Sequence, residues 1–251
     1  GGLRKALNEN PEKFDAREFD THIFITGYAG HGSEIAKQAI ADKAKYVIAV
    51  GGDGTVNEVA GSLVNSGIAL GIIPMGSGNG LGRDLDIPIN SKKALDVIAE
   101  ENVIDIDYGK VNDRIFFCTC GMGFDAEVAA KSSGKKSRGS FMYFKNMLEA
   151  FFQQKPERFE ITCPEGIIED EAFVVTCANA SQYGYNAHIA PHADIQDGMM
   201  NIAILKPLTV LDIPQTSLQL FTKKIDENSK MIELITNKAT IRREREGMIH
   251  I

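Results

Sequence analysis

The chain has 251 residues, 43% of them hydrophobic and 24% charged, with 24 Gly, 8 Pro, 4 Cys and no Trp. This is close to the globular average, which excludes wholesale disorder, and the length accommodates one large domain or two modest ones. A net charge of −7 excludes general nucleic-acid binding, because nothing would drive counterion release from a polyanion.

No apolar run reaches the ~18–20 residues of a membrane span, and Gly1-Gly2-Leu3-Arg4-Lys5 leads into a polar stretch without a signal-peptide core. The expectation is a soluble, cytoplasmic protein. Cys118, Cys120, Cys163 and Cys177 lie in apolar, strand-like surroundings and match no common zinc spacing, so they read as reduced core thiols.

The first half alternates strands with helices. Thr21 to Thr26 (THIFIT) reads as a strand, and Gly32 to Lys43 follows with Ile35, Ala36, Ala39 and Ile40 at helical spacing. Tyr46 to Val50 is a β-branched run that stops at Gly51-Gly52, as a strand buried on both faces would. Thr55 to Asn65 reads as a helix, with Thr55-x-x-Glu58 matching a capping box. Ile68 to Pro74 is a second buried strand, and Ser91 to Glu100 a third helix with Ser91 as N-cap. This order predicts a parallel sheet with right-handed crossovers and ligands beyond the strands' carboxyl ends.

After Asn102 the rhythm changes. Ile104 to Lys110 and Arg114 to Cys120 read as strands around a turn at Val111-Asn112-Asp113. Further strands are expected at Arg158 to Thr162, Ala172 to Ala178, Met200 to Leu205, Met231 to Thr236 and Lys238 to Arg243. Helical patterning is confined to Ser140 to Phe152 and parts of Leu208 to Phe221. The shift predicts an α/β domain over 1–103 and a mostly antiparallel β-sandwich over 104–251.

Two glycine-rich turns carry the chemistry. Gly51-Gly52-Asp53-Gly54-Thr55-Val56-Asn57-Glu58 stands where a buried strand becomes a helix, and glycines there let several N–H groups converge on one anion. The helix N-terminus adds unpaired donors and its dipole, which suits phosphate. Asp53 would repel a phosphate by itself; it makes sense as a metal ligand or as an orienter of a hydroxyl. A tight turn into a helix would use the same residues.

The second turn, Met75-Gly76-Ser77-Gly78-Asn79-Gly80-Leu81-Gly82-Arg83, repeats the logic after the next strand. A surface loop has similar composition, but two such turns after successive parallel strands can converge on one ligand. Neither is a P-loop, and Gly76-x-Gly78-x-Gly80 lacks the Rossmann spacing.

GGDGTVNEV followed about 25 residues later by PMGSGNGLGRDL resembles the nucleotide-binding core of the diacylglycerol kinase and sphingosine kinase superfamily, in its bacterial YegS-like form. Gly121-Met122-Gly123-Phe124-Asp125 resembles the family's G-x-G-F-D element. Asn179-Ala180-Ser181 through Ala190-Pro191 to Asp197-Gly198 resembles its N-A-S…A-P-x-A-x-x-x-D-G stretch. GGDGT alone is shared with NAD kinases and phosphofructokinase relatives; the combination is specific.

The resemblance implies an α/β nucleotide-binding domain followed by a β-sandwich, and ATP-dependent phosphorylation of a membrane-lipid hydroxyl. ATP would be held by Thr26, Gly51, Gly52, Asp53, Gly54, Thr55, Val56 and Asn57, together with Gly76, Ser77 and Asn79. Asp53 and Asp125 would join an aspartate–water–Mg²⁺ network. Asp194, Asp197 and the carbonyl of Met199 would match a separate structural Mg²⁺ site.

Gly80 departs from the Asp that many bacterial members carry after the Asn of the second turn. The family's general base, a Glu in a late D-G-E motif, is expected beyond Ile251, and its opening strand and N-P-x-x-G turn before Gly1, so the sequence reads as trimmed at both ends. A lipid substrate implies transient contact with a membrane surface. Lys131, Lys135, Lys136, Arg138 and Lys145, beside Phe141, Met142, Tyr143 and Phe144, are one candidate for that contact. A solvated loop before a core helix has the same pattern. The oligomeric state is not legible, though an antiparallel edge strand could pair two sandwiches as a homodimer. The rival readings are a small-molecule kinase of the NAD kinase type and a non-catalytic nucleotide-binding regulator.

Overall fold

The computed structural model describes residues 20–123, 156–247 and 249–251. The chain divides into two units, Gly1–Asp105 and Ile106–Ile251.

In the first unit, β1 (Tyr46–Gly51) and β2 (Ala69–Pro74) pair in parallel from Tyr46 opposite Ala69 to Gly51 opposite Pro74. Around them run α1 (His31–Ala41), α2 (Asp53–Leu63), the short α3 (Gly80–Asp84) and α4 (Ser91–Ala99). Helix α2 buries Val56, Val59, Ala60 and Leu63, recurring at three- and four-residue spacing. Ala94 and Leu95 of α4 pack on Ile73, with Ile48 and Val50 of β1 alongside.

Three expectations need correction in this unit. Thr21 to Thr26 forms no strand: residues 20–27 are irregular and Ile23, Phe24 and Ile25 are exposed. Its composition suits a strand, but no described strand lies beside it, and a strand exists only by pairing. Thr55 and Glu58 form no capping box, because α2 begins at Asp53 with Gly52 as N-cap and Thr55 already lies inside the first turn. Asn90, not Ser91, caps α4, accepting from the N–H groups of Lys92 (3.0 Å) and Lys93 (3.2 Å).

The second unit contains β3 (Gly109–Val111), β4 (Arg114–Phe116), β5 (Thr119–Gly123), β6 (Glu157–Cys163), β7 (Gly166–Ala172), β8 (Val174–Ala178) and β9 (Met200–Leu205). Helix α5 (Ile213–Phe221), β10 (Met231–Thr236), β11 (Thr240–Arg243) and β12 (Ile249–His250) complete it. A five-stranded antiparallel sheet has the order β10-β9-β8-β5-β12, a three-stranded one β11-β6-β7, and β3 and β4 form a hairpin with Asn112 in the left-handed region.

The core between the larger sheets alternates with the pleat: Cys120 and Met122, Phe159 and Ile161, Val175 and Cys177, Ile202 and Ile204 all face it. None of the four cysteines is in a disulfide, and Cys120 and Cys177 are buried. Strand β7 escapes the sequence reading because Glu169-Asp170-Glu171 looks like a loop. It pairs along all of β6, and its acids find Arg158 (2.7 Å from Glu169) and Lys206 (2.7 Å from Asp170).

Candidate active site

Both glycine turns emerge at the carboxyl ends of β1 and β2, side by side because those strands pair in parallel to their last residues. The N–H of Met75 donates to the carbonyl of Gly51 at 2.8 Å, carrying the pairing past Pro74. Beyond this point the turns touch backbone to backbone. A Cβ on Gly52 would stand 2.9 Å from the Cα of Gly76, and one on Gly76 would collide with the Cα of Gly52. The close approach requires glycine on both sides.

Asp53 fastens the second turn to the first. Its two carboxylate oxygens accept from the N–H groups of Asn79 (2.8 Å) and Gly80 (2.6 Å), the residues that open α3. Charge-assisted bonds of this kind are about twice as strong as neutral ones. Asn79 is 4% exposed with φ of 51°, and its amide closes on one residue, accepting from the N–H of Gly76 and donating to its carbonyl, both at 2.8 Å. Both polar atoms of the Asn79 side chain are therefore engaged in shaping the turn.

Helix α2 has no side-chain cap, which leaves the first-turn N–H groups of Asp53, Gly54 and Thr55 to solvent or a ligand. Val56 donates its N–H to the carbonyl of Gly52 at 3.0 Å and is buried in the core. Asp53, Gly54, Gly76 and Ser77 are exposed, while Gly51, Gly52, Thr55 and Asn57 are half-buried. Thr26 lies in the exposed irregular segment 20–27. Asp125 and the basic-aromatic segment from Lys131 to Lys145 lie outside the described residues.

Glu58, read from the sequence as a capping-box partner within its own helix, serves the start of α1 instead. Its carboxylate accepts from the N–H groups of Gly30 (2.8 Å) and Gly32 (3.2 Å), while its carbonyl accepts from the hydroxyl of Ser33 (3.0 Å). It thus docks the start of α1 on α2. Next to it Tyr28 and His31 stack with ring centroids 4.6 Å apart, and the Tyr28 hydroxyl donates to Glu34 at 2.7 Å. That bond raises the phenol above its ordinary range.

In the second unit, Asp194 and Asp197 each accept from an N–H two residues on, Gln196 at 3.0 Å and Met199 at 2.8 Å. Asp107 joins this loop by accepting from the N–H of Gly198 at 2.7 Å while donating its own N–H to the carbonyl of Ile195 at 2.7 Å. No pattern in the sequence singles out Asp107, which is brought in by folding. Asn179, 3% exposed, donates to the carbonyls of Asp107 (3.0 Å) and Phe117 (2.9 Å) and so staples this region together. Ser181 meets the ring of His188 at 2.9 Å in the same buried network. Among the described residues no three acidic, histidine or cysteine side chains gather where they could hold one metal ion.

Comparison with known proteins places both units. The model of the diacylglycerol kinase catalytic domain matches residues 1–111, and that of the YegS C-terminal NAD kinase β-sandwich-like domain matches residues 118–245. A protein of Pectobacterium atrosepticum named "Probable lipid kinase YegS-like" is 31% identical over 216 residues, covering 83% of this chain and 71% of that protein. A diacylglycerol kinase of Bacillus subtilis is 31% identical over 211 residues, covering 81% and 69%. A crystal structure of a diacylglycerol kinase from Bacillus anthracis overlays with a TM-score of 0.75 at 27% identity, across 100% of this chain and 84% of that one.

Proposed function

The chain belongs to the diacylglycerol kinase family of ATP-dependent lipid kinases, and from that premise we propose that the two joined glycine turns are its phosphate platform. The observation that carries the reading is the uncapped start of α2 held against the second turn by Asp53.

Phosphoryl transfer asks a protein chiefly for positioning and charge stabilisation. The first-turn N–H groups of Gly54 and Thr55, with the α2 dipole behind them, meet the phosphates. Ser77 is exposed on the facing turn and offers a hydroxyl to the same oxygens. Gly51, Gly52 and Gly76 let the backbone lie close to the nucleotide, and Thr26 and Asn57 flank it. The hydroxyl of the lipid attacks the γ-phosphate in line, the bond to the ADP oxygen breaks, and the hydroxyl proton passes to the general base that the family resemblance puts in a D-G-E motif.

Mg²⁺, when bound, would neutralise charge on the phosphates. Mg²⁺ binding needs only one or two carboxylates completed by phosphate and water, and Asp53, exposed and with acceptor capacity beyond its two N–H bonds, fits that role. Asp194 and Asp197, each with one oxygen committed to its own loop, have a second oxygen for a structural ion together with the Met199 carbonyl.

The substrate proposed is a lipid with a free primary hydroxyl, diacylglycerol first, taken from a membrane surface. The test is transfer of γ-labelled phosphate from ATP by the full-length gene product to diacylglycerol, a sphingoid base, ceramide and phosphatidylglycerol in mixed micelles, with NAD as control. Label in a lipid is expected. Label in NAD alone, or ATP binding with no lipid labelled, would overturn the reading.

A further inference from the structure

The stacked pair of Tyr28 and His31 is fixed more firmly than an exposed surface pair requires. The two ring planes lie 3° from parallel with centroids 4.6 Å apart. The N–H of Gly27 donates to Nδ1 of His31 at 3.0 Å, which leaves the proton of the neutral ring on Nε2 and sets the plane of the imidazole. The Tyr28 hydroxyl donates to Glu34 at 2.7 Å, and the Tyr28 carbonyl accepts from the N–H of His31 at 3.3 Å. Both rings are held in place, yet Tyr28 is 59% exposed. With one face of the phenol against the imidazole, so large an exposure puts the other face in solvent. An exposed tyrosine is ordinary; a flat, immobilised one with an open face is a preorganised surface for another ring.

The pair stands at the same end of the first unit as the two glycine turns. Only residues 42–45 separate α1 from β1, so α1 runs back along the strand and starts near the strand's carboxyl end. Helix α2 leaves from that end, with Gly52 as its N-cap. Glu58 joins the two helix starts through the N–H groups of Gly30 and Gly32. Because Glu58 follows Asp53 by five residues, this joint lies about 8 Å along α2 from its open N–H groups. A nucleoside triphosphate whose phosphates meet Gly54 and Thr55 spans that distance. The turns themselves offer a base nothing to stack on: neither Gly51 to Asn57 nor Gly76 to Asn79 contains an aromatic residue.

We propose that Tyr28, backed by His31, is the shelf on which the purine base of ATP stacks. The inference deepens the reading of the glycine turns as a phosphate platform and rests on it. A base–aromatic stack recognises a π-face rather than a pattern of edge donors and acceptors. The shelf therefore favours a purine over the smaller pyrimidine without itself telling adenine from guanine.

The test is calorimetric titration of the full-length gene product with ATP, CTP and inorganic tripolyphosphate, each with Mg²⁺. Wild-type protein should bind ATP at least ~5-fold more tightly than CTP, and Tyr28→Leu should weaken ATP ~10-fold while leaving tripolyphosphate unchanged. Tyr28→Phe keeps the ring and loses only the bond to Glu34, so it should hold ATP within ~2-fold of wild type.

A Tyr28→Leu protein that binds ATP normally overturns the proposal. So does one that loses ATP and tripolyphosphate by the same factor, since Tyr28 would then act only through the fold of α1, and so does an ATP preference over CTP that survives the loss of the ring. Selective loss of ATP in Tyr28→Leu, with tripolyphosphate binding untouched by Gly54→Ala, supports the shelf and sinks the phosphate platform instead. Wild-type protein that binds no ATP overturns both.

Discussion

Replacing Asp53 by Asn tests the two roles that converge on this carboxylate. Asn keeps the shape, but only one of its two terminal atoms accepts. One of the bonds from Asn79 and Gly80 survives, and the other N–H is left facing an amide NH₂. A hydrogen bond to a charged group contributes about 1.5–3 kcal/mol, and exposure of Asp53 argues for the lower end, so the loss should be about 1–2 kcal/mol. That corresponds to a fall in Tm of roughly 2–8 °C if the chain melts as one, and of roughly 4–16 °C if the first unit melts by itself.

Hydrogen exchange should locate the change, with the amides of Asn79 and Gly80 exchanging faster while those of β1 and β2 stay protected. Turnover should fall at least ~10²-fold, as when a preorganised charge is removed from a transition state. A variant with unchanged melting, unchanged exchange at Asn79 and Gly80, and near-normal turnover would refute both the tether and the catalytic placement. Lost turnover with exchange unaltered would refute the tether alone.

Gly54→Ala should separate stability from binding: a Cβ there meets nothing within 4 Å. Alanine should stabilise α2 by ~0.5–1 kcal/mol in a melt while weakening ATP in calorimetry, because the methyl stands where the phosphates approach. Gly76→Ala should do the opposite to the fold, costing about 1–3 kcal/mol because its Cβ meets the backbone of Gly52. Glu58→Ala leaves the N–H groups of Gly30 and Gly32 without their carboxylate and should destabilise α1 by about 1–3 kcal/mol, seen as faster exchange at those amides.

Asp212 is held below the ordinary carboxylate range by the backbone N–H of Thr209 first, then by its hydroxyl and Lys230. Its contribution is therefore complete above the unfolded pKa of about 3.9 and is lost as pH falls through the lower folded value. Exchange at the Thr209 amide should accelerate only on acidification below about pH 4, and Asp212→Asn should remove that pH dependence.

The parts of the fold legible in the sequence are those in which local pattern and tertiary demand agree. Tyr46–Gly51 and Ala69–Pro74 are apolar runs that form a parallel pair, though only Ala49 of the first is buried, and Met200–Leu205 and Met231–Thr236 are antiparallel neighbours bounded by turns. The failures lie where a partner decides. THIFIT has strand chemistry without a described neighbour, whereas GIIEDEA has loop chemistry in its last half and forms a full strand because Arg158 and Lys206 neutralise its acids. No window of sequence contains that information, since the compensating cations lie outside it.

The candidate site divides the same way, and the division explains what GGDGT and GSGN are for. Their glycines announce a close approach of backbone to something, and half of that something proves to be the other turn: Gly52 and Gly76 need their missing Cβ atoms for each other as much as for phosphate. Asn79, expected from the resemblance to hold ATP, also bonds through both polar atoms of its amide to Gly76. Asp53, read as a ligand for metal, also clamps the loop that follows β2. The two motifs therefore act as one folded unit, in which side chains mostly shape the platform and backbone N–H groups are left to meet the anion. That division of labour makes the Gly54→Ala result decisive, for it is a substitution that spares every clamp and burdens only the face left open to the nucleotide.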